Sequence, residues 1–146
     1  MSKSNTFEND ILQLIFNNVD IADIGDAGGL QNSATAGSLY VALHTADPGE
    51  AGTATTSESA YGSYARQAVA RSAGGWTVSG NSATNTALIQ FPECTGGSET
   101  ITHVSITTAS SGTSKILYSG ALSASRSVSS GIQPQFAANA LTVTED

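Results

Sequence analysis

Two histidines, His44 and His103, are the side chains of this 146-residue chain best suited to moving protons near neutral pH. Asp47 follows His44 closely and serines abound, so a Ser-His-Asp relay can be imagined. Acyl transfer of that kind commonly places its serine on a strained Gly-x-Ser-x-Gly turn, and no such elbow occurs. The expectation is therefore two half-exposed strand histidines, each hydrogen-bonded to a neighbour. Zinc would need three or four ligands with a short-spaced pair, which neither histidine has. Asp20, Asp23 and Asp26 recur every third residue, and oxygen-rich loops bind calcium, but the glutamate and the Asp-x-Asp-x-Asp opening of a calcium-binding loop are missing. They read as a solvated loop after a helix. Glu50, Glu58, Glu93 and Glu99 fall in expected loops and turns, and no pair can be set across a cleft for glycoside chemistry. Cys94 is the single cysteine, so no internal disulfide forms, and it reads as a small buried hydrophobe. No catalytic, metal or cofactor site is expected.

Arg66 stands out differently. It follows Tyr61 and Tyr64 in "YGSYARQAV", at the start of an expected strand. A guanidinium stacks on rings and grips a carboxylate with two parallel bonds. In a chain with so few cations it could anchor the acidic loop around Glu50 or Glu58, or anchor a subunit interface. Tyr64 and Arg66 are expected anchors of one kind or the other.

Elements must position these groups. Residues 6–18 have helical periodicity, with Phe7, Ile11, Leu14 and Ile15 on one face, widened by Leu12, Phe16 and Val19. Asn5 or Thr6 is the expected cap, with Glu8 completing a capping box. So broad a stripe needs cover on more than one side, which makes Phe7, Ile11 and Phe16 candidate core or interface anchors. A Gly-, Ser- and Ala-rich linker follows, to about residue 37. From Leu39 the period becomes two, with Leu39, Val41 and Leu43 opposite Tyr40, Ala42 and His44. Asp47, Pro48 and Gly49 then turn the chain, since proline fixes its own φ and glycine permits a tight bend. Residues 50–62 read as a long surface loop. Further short strands are expected at 64–71, 76–80, 87–91, 101–108, 115–122, 126–129 and 140–146. The pattern predicts a mainly β fold, an antiparallel β-sandwich of jelly-roll or immunoglobulin-like order, with one N-terminal α-helix. Residues 1–37 form the helix and linker, packed on or exchanged with the core, and 38–146 form the sandwich domain. There is no fixed repeat for a β-helical shaft and no heptad run for a stalk.

Composition narrows the function. The formal net charge is −7, and charged residues are only 12% of the chain, against roughly 25% in an average domain. The five cations are scattered, so neither nucleic acid nor an anionic membrane is an expected partner. No apolar run approaches the roughly 20 residues that span a bilayer. Lys3 is followed by polar and acidic residues, unlike a signal peptide, so synthesis in a cytosol is expected. A surface dressed in hydroxyls and amides is cheaper to desolvate than one dressed in ions, which suits large contact areas.

Five ordered blocks, "LYVALHTADPGEAG", "SYARQAV", "FPECTGGSETITHVSI", "LYSGAL" and the ending "FAANALTVTED", resemble a family of small virion structural proteins of tailed bacteriophages commonly labelled tail fibre proteins. The resemblance covers nearly the whole chain. It departs at Ser105-Ile106-Thr107-Thr108, where the family usually continues Gly-Ile/Leu-Phe/Tyr-Asp, and in the long linker at 20–37. It implies a non-enzymatic virion component made in the bacterial host cytoplasm, without cofactors. Its partners would be further copies of itself, as a homo-oligomer, and capsid or tail subunits. A head-decorating or cement role and a tail-fibre role both stay open. The alternative is a carbohydrate- or receptor-binding module, for which Trp76, Tyr40, Tyr61, Tyr64 and Tyr118 would offer stacking faces.

Overall fold

Helix α1 (Asn5–Asn17) begins one residue earlier than expected, because Ser4 is its cap. Ser4 is extended, at φ −84° and ψ 151°, and its hydroxyl accepts from the Phe7 amide. Asn5 lies inside the helix, so Glu8 completes no box with it. At the other end Asn18 takes the left-handed conformation (φ 57°), and the Val19 amide closes back on the Gln13 carbonyl at 3.1 Å. The buried face is not the expected one: Glu8, Leu12 and Phe16 point inward, while Phe7 is exposed and Ile11, Leu14 and Ile15 are half-buried. Residues four apart share a face, so the Glu8–Leu12–Phe16 row wins by meeting the sheet.

These coordinates are a computed structural model that describes residues 2–25 and 28–146. The strands are β1 (Ser38–His44), β2 (Gln67–Ala70), β3 (Trp76–Ser79), β4 (Ser82–Asn85), β5 (Ile89–Gln90), β6 (Ser98–Thr107), β7 (Ile116–Ser129), β8 (Gln135–Phe136) and β9 (Thr142–Thr144). The strand orders are β2-β1-β6-β7, β3-β4-β9 and β5-β8. The pairs β1–β6, β6–β7, β3–β4 and β4–β9 are antiparallel. The chain is thus mainly β and antiparallel with one N-terminal helix, the class its periodicities imply. Two short strands, β4 and β8, were not expected, and the two expected at 115–122 and 126–129 are one continuous β7.

Contacts divide the chain into two compact units. The first comprises Met1–Ser38, Val69–Leu88 and Phe136–Asp146. In it α1 packs on β3 and β4, and Leu12, Phe16, Ile21, Trp76, Ala83, Leu141 and Val143 are buried. Phe16 meets Trp76 edge-on, ring centroids 4.7 Å apart. The β3–β4 hairpin turns through Gly80 and Asn81, with Gly80 at φ +60°, and Asn9 of α1 donates to the Gly80 carbonyl at 2.9 Å.

The second unit comprises Leu39–Ala68 and Ile89–Gln135. Strand β1 is buried on both faces from Val41 to His44, with Val41 opposite Ile106 and Leu43 opposite Val104 of β6. The segment expected as a long surface loop is partly inside. Ala54 and Ser59 are buried, and Glu58 forms an antiparallel bridge with His44. The corner before it is an Asx-turn: the Gly49 amide donates to Asp47 Oδ1 at 2.9 Å, and Pro48 is buried. Gly49 sits at φ +68°, which favours glycine, and a side chain on Gly52 would strike the Pro48 carbonyl oxygen at 2.0 Å, so that position requires it.

Candidate functional site

Backbone pairing carries Glu58 to the end of β1. The Ser59 amide donates to the Leu43 carbonyl (2.8 Å) and the Thr45 amide to the Ser57 carbonyl (2.9 Å). Arg66, just ahead of β2, meets it there. Its Nε donates to Glu58 Oε1 at 2.6 Å and its Nη2 to Oε2 at 2.8 Å, a bidentate pair. The remaining donors go to the Ala109 and Gly112 carbonyls and the Ser114 hydroxyl, so all five are used. Arg66 is buried, and the hydrogen bonds it donates to Glu58 hold its pKa above the ordinary arginine value. Tyr64 completes the group: its phenol accepts from the Leu43 amide (3.0 Å) and donates to Glu58 Oε1 (3.2 Å). Its ring stacks on Phe91 and meets Tyr61 edge-on. Burial raises both phenols, that of Tyr61 to about 12.

His44 lies under the same loop and is wholly buried, not half-exposed, because Thr53–Ser59 folds back over the end of β1. Its Nδ1 is 2.9 Å from the Thr56 carbonyl, which can only accept, so Nδ1 carries the proton. Nε2 then accepts from the Ser105 hydroxyl at 2.7 Å. Burial lowers the His44 pKa and keeps the ring neutral. A Ser–His contact therefore exists, built from Ser105. But His44 is 0% and Ser105 1% exposed, and the third member is a carbonyl rather than a carboxylate. A substrate carbonyl has no approach to that hydroxyl. Asp47, drawn near His44 by sequence distance, instead closes the corner turn. His103 pairs across strands with His44 and is half-buried, its Nδ1 2.8 Å from Thr102 Oγ1.

The other singled-out residues scatter. Tyr64 and Arg66 converge on Glu58, while Asp47, Pro48 and Gly49 form the separate corner. Phe16 is core of the first unit, Ile11 is half-buried and Phe7 is 37% exposed. Of the rings offered for stacking, Trp76 and Tyr61 are buried. Asp20 accepts from the Asn32 amide, Asp23 is exposed, and Asp26 lies outside the described residues. Among the described residues no three of His, Cys, Asp and Glu gather as metal ligands.

Two polar knots were missed. Arg71 donates from Nε to the Ile15 carbonyl (2.7 Å) and from Nη2 to the Leu14 carbonyl (2.6 Å), two of the unpaired carbonyls that end α1. It also reaches the Ala36 carbonyl at 3.1 Å. Asn85, wholly buried, donates to the Ala87 and Ala137 carbonyls and accepts from the Leu141 amide, which fixes the run into β9. The Gly80-Asn81 pair between alternating segments was a legible hairpin signal for β4, and with it for Asn85. The partners of Arg71 are backbone atoms, which no residue pattern displays.

Every buried polar group of these knots is thus spent on holding chain to chain. No curated protein matches the sequence. Among protein families, the one described as Podophage GP4 fiber I protein gp80 matches residues 2–144, and the chain belongs to that family of phage structural proteins.

Proposed function

We propose that this chain is a non-enzymatic, oligomeric fibre-type subunit carried on the tail of the virion. The observation that carries the proposal is the family match across residues 2–144, whose description names a fiber protein. The site geometry supports the absence of catalysis: the His44–Ser105 contact is sealed from solvent, and Arg66 has no donor left for a ligand. Among the described residues no helix is long and apolar enough to cross a membrane. Oligomerisation is supported by the helix. Phe7, Ile11, Leu14 and Ile15 form an apolar arc beside the buried row, left half-covered by the chain's own sheet.

Immunogold labelling of intact particles with an antibody to this chain tests the address. Gold on the tail is the expected result, and gold distributed over the head would replace the proposal with a decorating role. Sedimentation of the purified chain tests the oligomer.

A further inference from the structure

Strand β7 ends the order β2-β1-β6-β7, so one edge of it faces β6 and the other, among the described residues, faces no strand. It is 14 residues long, and every side chain from Ser119 to Ser127 is exposed except the half-buried Leu122. Natural sheet edges are usually kept short, charged or interrupted by proline, because their unpaired amides and carbonyls recruit other strands. β7 has no proline and one charged residue, Arg126. Its register also breaks. Where β6 advances from Ile101 to His103, β7 runs from Arg126 to Ala121, which leaves Leu122–Ser125 bulged without register partners on β6.

Charge distinguishes this edge from the rest of the protein. No Asp or Glu occurs between Glu99 and Glu145, although the chain carries 12 of them. Lys115 and Arg126 are the cations of that stretch, and both are exposed. The other three cations are engaged internally: Lys3 with Glu145, Arg66 with Glu58, Arg71 with the end of α1. The cations left to meet an outside partner are Arg126 on β7 and Lys115 just before it. An acid-free, weakly cationic edge complements an acidic surface, and a protein of net charge −7 presents one to its own copies, with Asp47 and Glu50 exposed at the corner. Pairing β7 with β7 of another copy would instead set like-charged strands together.

We propose that the exposed edge of β7, from Ser119 to Ser127, is the surface on which a second copy of this chain docks head-to-tail, bringing an acid-bearing surface to Arg126 and to Lys115 just before the strand. The inference rests on the oligomeric reading above and adds its surface and its sense. Head-to-tail contacts close into rings or run on as filaments, and are not two-fold dimers.

Sedimentation velocity of the full chain, with circular dichroism to confirm folding, tests it. The wild type should associate, and less so as salt rises and screens the contact. Arg126→Glu, and the pair Lys115→Glu with Arg126→Glu, should weaken association at least about tenfold, since like charges across an interface repel. Ser123→Glu, which leaves both cations in place, should do the same. A tagged double variant co-expressed with untagged wild type should still capture it, because its acidic face is intact. A wild type that stays monomeric overturns both the oligomer and this surface. An oligomer indifferent to the β7 variants overturns this surface alone. A double variant unable to capture wild type overturns the head-to-tail sense.

Discussion

Arg66 and Arg71 stand five positions apart and are used in opposite ways. Arg66 meets a carboxylate, Glu58, and spends its other donors on the segment at 109–114. Arg71 meets no acid among the described residues. Its acceptors are the carbonyls of Leu14, Ile15 and Ala36, with the Ser33 hydroxyl at 3.4 Å. The first is an ion pair held inside a β unit. The second is a cation set against the negative end of a helix whose own last turn has no basic residue. The contrast teaches that in a chain with few charges the guanidinium serves mainly as a many-pronged tie for backbone, and that the presence of a counter-ion decides what its loss costs.

The largest effect is expected at Arg66. Arg66→Ala leaves Glu58 against Tyr64 and the end of β1 with its cation gone, and removing one partner of a buried pair typically costs about 3–5 kcal/mol. Urea unfolding should show a loss of that size, and a loss below about 1 kcal/mol would mean that the pair is solvated and the ion-pair half of the comparison is wrong. Arg71→Ala should cost less, about 1.5–3 kcal/mol, the worth of hydrogen bonds from a charged donor, because no buried charge is stranded. Amide exchange should then rise in the last turn of α1 and leave β1 and β6 protected. Uniform exchange across both units would break the distinction.

Acid should separate the two knots further. His44 is neutral in the folded protein because burial lowers its pKa below 6.5, whereas in the unfolded chain it titrates near that value. Below about pH 6.5 the unfolded chain therefore binds more protons. The contribution of His44 is fully present above that pH and is lost as pH falls through the folded pKa. Stability curves between pH 8 and 5 should steepen downward for wild type and flatten for His44→Asn, whose side chain can still donate to the Thr56 carbonyl. Arg71 has no titrating group among its partners, so the difference between Arg71→Ala and wild type should stay constant over the same range.

The same contrast explains what could be read without coordinates. Helix α1, β1 and β6 were legible because their apolar residues repeat with the period of the element. The role of Arg66 was legible only in outline: a shortage of cations pointed it to the acidic loop around Glu50 or Glu58, or to a subunit interface, and sequence does not choose among these, whereas the structure sets it on Glu58. What was hidden involves backbone. The Thr53–Ser59 fold-back, which buries His44, is held by amides and carbonyls as well as side chains. Of the buried row of α1, Leu12 and Phe16 belonged to the expected stripe, whereas Glu8 was missed because a carboxylate looks polar in sequence, and it is nevertheless buried. Strand β7 was cut in two at Ser123–Ser125, where Ser and Ala carry little strand signal; those residues bulge off β6, and the pairing on either side of them carries the strand through.

The smallest expected effect sharpens the comparison most. Arg71→Lys keeps a positive charge near the end of α1 and loses only the planar fork. If Arg71 acts chiefly on the helix dipole, an interaction worth about 0.3–1 kcal/mol, lysine should retain most of it and cost about 1 kcal/mol or less. Arg66→Lys should fare worse, since an ammonium cannot span both Glu58 oxygens while also reaching the Ala109 and Gly112 carbonyls. Measured side by side, the lysine-for-arginine penalty should be larger at 66 than at 71. Equal penalties would mean that both guanidiniums act by geometry alone, and that the helix end gains nothing from charge.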